Sequence, residues 1–179
     1  MKILFIVILG GDLVRSTEHL GVAYISAYLK QKGYSCKIIE VYGMNDTQHI
    51  DEVLSEKYDI VGFTTTCVNM KPILDMAKIV KDAYEDSHIT LGGHMATFWD
   101  KAILERYPQV DSIVRGEGEI TTYELVEAIE EHKSFGEIDG LSYRDSVQIC
   151  QNPDRALIEN LDDLPFPVRD QFALHDNRA

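Results

Sequence analysis

Positive charge is scarce in this chain of 179 residues: 17 Lys and Arg stand against 30 Asp and Glu, a formal net charge of −13. Sequence-independent nucleic-acid binding needs clustered cations to replace counterions, so that class is excluded. Docking on an anionic membrane is excluded for the same reason. The acidic excess reads as a solvated surface, recurring on outer helix faces at Glu124, Glu127, Glu130 and Glu131. Cysteine is also scarce. Cys36, Cys67 and Cys150 are far apart, odd in number and without metal spacing, which points to ordinary thiols in a reducing, cytoplasmic compartment. There is no long hydrophobic run. The apolar opening ends at Leu9, too short to span a membrane, and reads as neither a signal peptide nor an anchor.

Several motifs are missing as well. Gly10-Gly11 lacks the spaced third glycine of a dinucleotide fingerprint, and no phosphate loop ends in Gly-Lys-Ser or Gly-Lys-Thr. No His-x-x-x-His or Cys-x-x-Cys pair offers a metal site. What remains is an ordinary globular composition, 45% apolar and 26% charged, in a length that suits one domain with a short appendage.

The apolar pattern is what the chain does have. Residues 2–9 form a continuous run, as in a strand buried on both faces. Leu20, Ala23, Tyr24, Ala27 and Tyr28 share one face of a helix over 19–33, which Gly33 ends. Cys36 to Val41 reads as strand two, followed by a short helix over 47–56 capped by Asp46 or Thr47. Strand three is Asp59 to Phe63, and the next helix runs from Lys71 to Tyr84. Strand four is His88 to Leu91, with a helix from Phe98 to Arg106. Strand five is Val110 to Val114, with a helix from Ile120 to His132.

Five strand–helix alternations predict an α/β fold, a three-layer, Rossmann-like five-stranded parallel sheet in the flavodoxin-like order 2-1-3-4-5. Residues 140–143 and 147–150 then predict a small C-terminal β-hairpin. Pro165 and Pro167 predict an extended tail. The expected division is a ligand-binding domain over 1–135, a hairpin extension over 136–160 and a linker over 161–179.

In such folds ligands bind beyond the carboxyl ends of the strands. Four loops there are unusual: Gly10-Gly11-Asp12, Thr64-Thr65-Thr66, Gly92-Gly93-His94-Met95-Ala96-Thr97, and Arg115-Gly116-Glu117-Gly118-Glu119. Glycines admit close backbone approach, and threonine hydroxyls donate and accept. Any one of these loops is explained as a tight turn; four at corresponding strand ends point to a ligand. His19 and His94, isolated near helix starts, read as packing or surface residues rather than metal ligands. The pair Glu117 and Glu119 suggests acid–base work. Glu119, however, is better read as the acid at the positive end of the last helix, with Glu117 left open.

Read in order, these segments resemble the N-terminal cobalamin-binding domain of B12-dependent radical SAM proteins. The signs are Leu20-Gly21-Val22-Ala23-Tyr24 after strand one and Gly62-Phe63-Thr64-Thr65-Thr66 after strand three. Gly92-Gly93-His94-Met95-Ala96-Thr97, Val114-Arg115-Gly116-Glu117-Gly118-Glu119 and Asp163-Leu164-Pro165-Phe166-Pro167 complete the set. The wider cobalamin fold carries Asp-x-His-x-x-Gly, Ser-x-Leu and Gly-Gly. By resemblance Gly21 matches the first glycine, Thr64 to Thr66 the Ser-x-Leu, and Gly92-Gly93 the last pair. Ser16 then stands at the aspartate and Glu18 at the cobalt-binding histidine, with His19 one place off.

The resemblance implies cobalamin held by Gly10, Gly11, Glu18, His19, Leu20, Gly21, Thr64, Thr65, Thr66, Gly92, Gly93, His94, Ala96, Thr97, Gly116, Glu117, Gly118 and Glu119. It also implies no protein histidine on cobalt, and a nucleotide tail running between the Thr64–Thr66 loop and Gly92-Gly93. No Cys-x-x-x-Cys-x-x-Cys is present for an iron–sulfur cluster. The 4Fe-4S cluster and S-adenosylmethionine are therefore expected only in a missing C-terminal radical SAM domain, the chain being an excised or truncated part. The intact protein is expected to be a radical SAM methyltransferase or oxidative cyclase-like enzyme, and the chain alone not catalytic. The alternative is a stand-alone flavodoxin-like domain for a small ligand or nucleotide. Its receiver-domain version fails because Thr64-Thr65-Thr66 stands where a phosphoacceptor aspartate belongs.

Overall fold

The computed structural model describes residues 1–9, 19–41 and 47–170, with only the backbone of Thr47 and Gln48. The elements in chain order are β1 (Ile3–Ile8), α1 (Leu20–Gln31), β2 (Cys36–Val41), α2 (Thr47–Val53), β3 (Ile60–Thr64), α3 (Met70–Ala83), β4 (His88–Gly92), α4 (His94–Arg106), β5 (Ser112–Val114), α5 (Glu119–Glu130), β6 (Leu141–Asp145) and β7 (Gln148–Gln151), followed by a 3₁₀ turn at Leu161–Asp163.

Strands β1 to β5 are parallel in the order β2-β1-β3-β4-β5 expected from the alternation. All six residues of β1 are buried, because helices cover both faces of the sheet. On one face Phe5, Val7, Val22, Leu29 and Val126 form a core between the sheet and α1 and α5. On the other, Leu4, Ile6, Val53, Ile73, Met76 and Leu104 pack the sheet against α2, α3 and α4.

The expected hairpin is present but does not stand apart. β6 pairs antiparallel with β5, placing Leu141, Ser142 and Tyr143 opposite Val114, Ile113 and Ser112, and β7 pairs with β6. The sheet therefore has seven strands. A five-stranded sheet would leave the backbone of the three-residue β5 as an open edge, and the hairpin covers it.

Two helix ends show how local chemistry sets boundaries. Gly33 (φ +92°) follows α1; its N–H bonds the Lys30 carbonyl and that of Tyr34 the Leu29 carbonyl, the double bond of a Schellman ending. Helix α4 corrects an expectation: it starts at His94, not at Phe98. The Thr65 hydroxyl accepts the Ala96 N–H at 2.8 Å, supplying from the β3 loop the cap that the Gly93 at the helix's own start cannot. Its helical geometry is interrupted at Trp99 (φ −123°, ψ 20°).

Candidate functional site

The middle of β1, the ends of β3, β4 and β5 and the starts of α1, α4 and α5 enclose a cleft of about 390 Å³. Its floor is the middle of the sheet, at Phe5, Gly62, Thr90 and Val114, with Phe63 and Leu91 alongside. Val22 and Ile25 of α1 and Thr122 of α5 form the walls. His19, Leu20, Gly21, Thr64, Gly92, Gly93, His94, Gly116, Gly118 and Glu119 form the rim. Two glycines let these parts close on one another. A Cβ at Gly62 would lie 2.6 Å from the Phe5 ring, and one at Gly118 2.8 Å from Ile25 Cδ1. Gly62 thus accommodates the ring against the strand, and Gly118 lets the start of α5 approach α1.

Of the residues singled out in the sequence, ten meet at this rim. Gly10, Gly11, Ser16 and Glu18 lie outside the described residues. The rest have other work. Thr65 is buried and ties two loops: its N–H and its hydroxyl both donate to the Gly92 carbonyl, at 2.8 and 2.7 Å. Thr66 donates its N–H to Asn69 Oδ1 at 2.7 Å. The Thr97 hydroxyl accepts the Gly116 N–H at 3.2 Å, and Ala96 is buried. Glu117 accepts the Ile158 N–H at 2.7 Å, which pins the C-terminal segment.

These bonds correct the expected tail slot. The Thr64–Thr66 loop and Gly92-Gly93 are joined, and a Cβ on Gly93 would sit 2.7 Å from the Thr65 carbonyl oxygen. The opening lies instead between the sheet and helices α1 and α5.

Electrostatics separate the two glutamates. Burial pushes the Glu119 carboxyl above its ordinary range; the Glu117 charge adds to this and the amides at the start of α5 oppose it. Glu119 is the first residue of α5, as expected for an acid at the helix's positive end. Burial lowers the His19 pKa, partly offset by Glu40. His19 Nε2 is buried and has no hydrogen-bond partner among the described residues. No cluster of three metal-binding side chains occurs among the described residues.

Sequence reading missed the floor and the supports. Phe5, Thr90 and Thr122 sit inside apolar strand or helix patterns, where nothing local distinguishes a cleft from a core. Gly62, a glycine inside a strand, was the one available signal of close approach. Asn69 is buried and donates from Nδ2 to the carbonyls of Ile8 (3.3 Å) and Thr64 (3.4 Å), tying the ends of β1 and β3. Arg115, 5% exposed, donates to Ser142, to the Asn152 carbonyl (2.6 Å) and to Asp154 (2.9 Å). It lies 3.6 Å from the buried Asp100, so its role is to bind the hairpin to α4.

Residues 6–126, which include every residue lining this cleft except Phe5, match the family described as B12 binding domain. The chain is 33% identical over 162 residues to an uncharacterized methyltransferase of Pyrococcus horikoshii, covering 89% of this chain and 35% of that protein. It is 30% identical over 161 residues to the anaerobic magnesium-protoporphyrin IX monomethyl ester cyclase of Rubrivivax gelatinosus, covering 86% and 29%. The chain thus spans about a third of the length of these relatives. Among solved structures, the fold matches the cobalamin-dependent S-adenosylmethionine radical enzyme OxsB, determined with aqua-cobalamin and S-adenosylmethionine bound. The TM-score is 0.77 at 22% identity, over 92% of this chain and 24% of that one. The radical S-adenosylmethionine methyltransferase TsrM from Kitasatospora setae, with cobalamin and a [4Fe-4S] cluster bound, matches with a TM-score of 0.73 at 16% identity, over 96% and 32%. The chain belongs to the B12-binding domain family and is homologous to the B12-binding domains of radical SAM methyltransferases and cyclases.

Proposed function

We propose that the chain is a cobalamin-holding module, with the nucleotide tail in the cleft between the sheet and α1 and α5 and the corrin above the glycine rim. The observation that carries this reading is the cleft itself. It combines an apolar floor reaching mid-sheet with small residues at the starts of three helices, and all of its lining but Phe5 lies in the segment that matches the family. Such a site suits a large flat group with a long tail. Gly21, Thr64, Gly92, Gly93, Gly116 and Gly118 would approach the cofactor closely, and Val22, Ile25 and Thr122 would flank the tail. Bound cobalamin supplies cobalt chemistry, methyl carriage or assistance to radical chemistry; the chain's residues hold and orient it and shield it from water.

The longer protein, on this reading, adds a radical SAM domain with a 4Fe-4S cluster and S-adenosylmethionine, and acts as a methyltransferase or cyclase-like enzyme. We place it in the cytoplasm, in keeping with three free cysteines and the lack, among the described residues, of any helix long and apolar enough to cross a membrane. A stand-alone nucleotide-binding domain has less support, since the family match covers every residue lining the cleft except Phe5.

Titration of the purified chain with hydroxocobalamin, followed by absorbance, is expected to saturate at one equivalent. No binding at high micromolar concentration would sink the reading for this chain. The same samples reduced to cobalt(II) test the ligand set by electron paramagnetic resonance. The family register places Glu18, not a histidine, at the ligand position, so no nitrogen splitting is expected from the protein. The buried Nε2 of His19 at the rim, without a hydrogen-bond partner among the described residues, is the observation on the other side. Splitting that disappears in His19→Ala would make His19 the ligand.

A further inference from the structure

Residues 152–168, beyond β7, pass from one wall of the cleft to the other. Apart from the 3₁₀ turn at Leu161–Asp163 the segment contains no helix or strand. It is fastened at three places. The Arg155 guanidinium donates to Thr121 Oγ1 at 2.8 Å, to the Asp139 carbonyl at 3.2 Å and to Glu124, which fixes the segment on the first turns of α5. The Ile158 N–H donates to Glu117 Oε2 at 2.7 Å. The Val168 N–H donates to the Ala23 carbonyl of α1 at 3.2 Å, and the Val168 side chain packs on the core that holds Val22 and Val126.

Two of these anchors adjoin the cleft lining. Glu117 stands between Gly116 and Gly118 of the rim, and Ala23 between Val22 and Ile25 of the wall. The two parts meet closely, since a Cβ on Gly118 would lie 2.8 Å from Ile25 Cδ1. The segment therefore ties from outside the same two parts that close on one another inside. Its hold is mainly polar. None of residues 152–168 is fully buried, and Leu157, Leu161 and Phe166 are 73%, 64% and 95% exposed. A segment with so little buried apolar surface opens at low cost while the rest of the fold stays intact.

We infer that residues 152–168 are a detachable strap whose docking on Glu117 and Ala23 holds the Gly116–Gly118 loop against α1, so that strap docking and corrinoid binding favour each other. With the strap lifted, Glu117 loses its partner and the loop is free to leave Ile25, so the binding-competent arrangement is less populated. The coupling is reciprocal: a bound corrinoid holds the strap down, and whatever lifts the strap loosens the corrinoid. The inference rests on the cobalamin reading and deepens it, because it names a control on that site.

The test combines hydrogen exchange read by mass spectrometry with hydroxocobalamin titration of the full chain. In wild type, saturating hydroxocobalamin is expected to slow exchange across residues 156–168 about fivefold. Ile158→Pro removes the N–H donor and leaves the Glu117 side chain in place. It should speed exchange at residues 116–119 without any ligand and weaken hydroxocobalamin about fivefold. Glu117→Ala should match it, and serves where Ile158→Pro does not fold; Glu117→Gln, which keeps an acceptor, should bind nearly as wild type does. Saturation that leaves exchange over 156–168 unchanged would overturn the inference while leaving the cofactor reading in place. So would a loss of affinity in Glu117→Ala with none in Ile158→Pro, since Glu117 would then act on the cofactor directly. Failure of wild type to bind hydroxocobalamin would overturn both.

Discussion

Gly93 shows how much one residue decides at this rim. Its φ of +89° turns β4 into α4, and the Thr65 backbone fills the space where a Cβ would be. The positive φ alone costs a non-glycine residue about 1–2 kcal/mol, and the contact with a fixed carbonyl adds to it. Gly93→Ala is therefore expected to lower stability by more than about 2 kcal/mol, read as a fall in the urea midpoint with an unchanged slope. A larger side chain there would report on folding as well as on cofactor space, because Gly93 lines the cleft rim and its Cβ position is already filled by the Thr65 backbone. The Gly-Gly pair was legible in the sequence as a special turn. Its partner Thr65 was legible only as one of three threonines, since the contact joins residues 27 apart.

At the scale of elements, the hairpin is held by charge as well as by strand pairing. Arg115 and Asp100 are both buried, and Ser142 and Gln151 also bond the Asp100 carboxylate. Removing the guanidinium leaves that carboxylate without its cation in a dry site, a change worth about 3–5 kcal/mol in buried pairs. Arg115→Ala is expected to destabilise the chain by that order, while adding Asp100→Asn in the double variant recovers part of the loss. Equal denaturation midpoints for Arg115→Ala and wild type would show that strand pairing alone holds β6 and β7. The segment beyond the hairpin is fastened in turn to both walls of the cleft. Ile158 N–H donates to Glu117 before α5, and Val168 N–H to the Ala23 carbonyl in α1. The sequence showed the hairpin and the proline-bearing tail. It could not show their docking, which depends on side chains from α4 and α5 meeting them in space.

For the molecule as a whole, buried imidazoles set the response to acid. The His88 pKa is about 4 in the fold against an ordinary 6.5, so between these values the unfolded chain binds the extra proton. Stability is full above about pH 6.5, falls as pH drops toward 4, and levels off for this group below that. A shift of this size corresponds to about 3 kcal/mol. The lowered pKa of His19 works in the same direction. Urea midpoints measured from pH 7 to pH 4 are expected to fall steeply in wild type and less so in His88→Gln. Identical slopes would place the acid sensitivity elsewhere.

By itself the sequence determined the class and order of the fold. A β-strand buried on both faces must be continuously apolar and a covering helix must repeat every 3.6 residues, and these periods are written locally in residues 2–9 and 19–33. It also determined which strand ends carry glycine and threonine, hence the end of the sheet where a ligand would bind. Only the tertiary structure decided where the opening lies, because Thr65 closes the gap between two loops that looked open in sequence. Only it brought Phe5, Thr90 and Thr122 to one surface from three separate elements. Hydrogen bonds and contacts between residues distant in the chain leave no periodic trace, so the cleft floor and the anchoring of the hairpin by Arg115 appear only once the chain is folded.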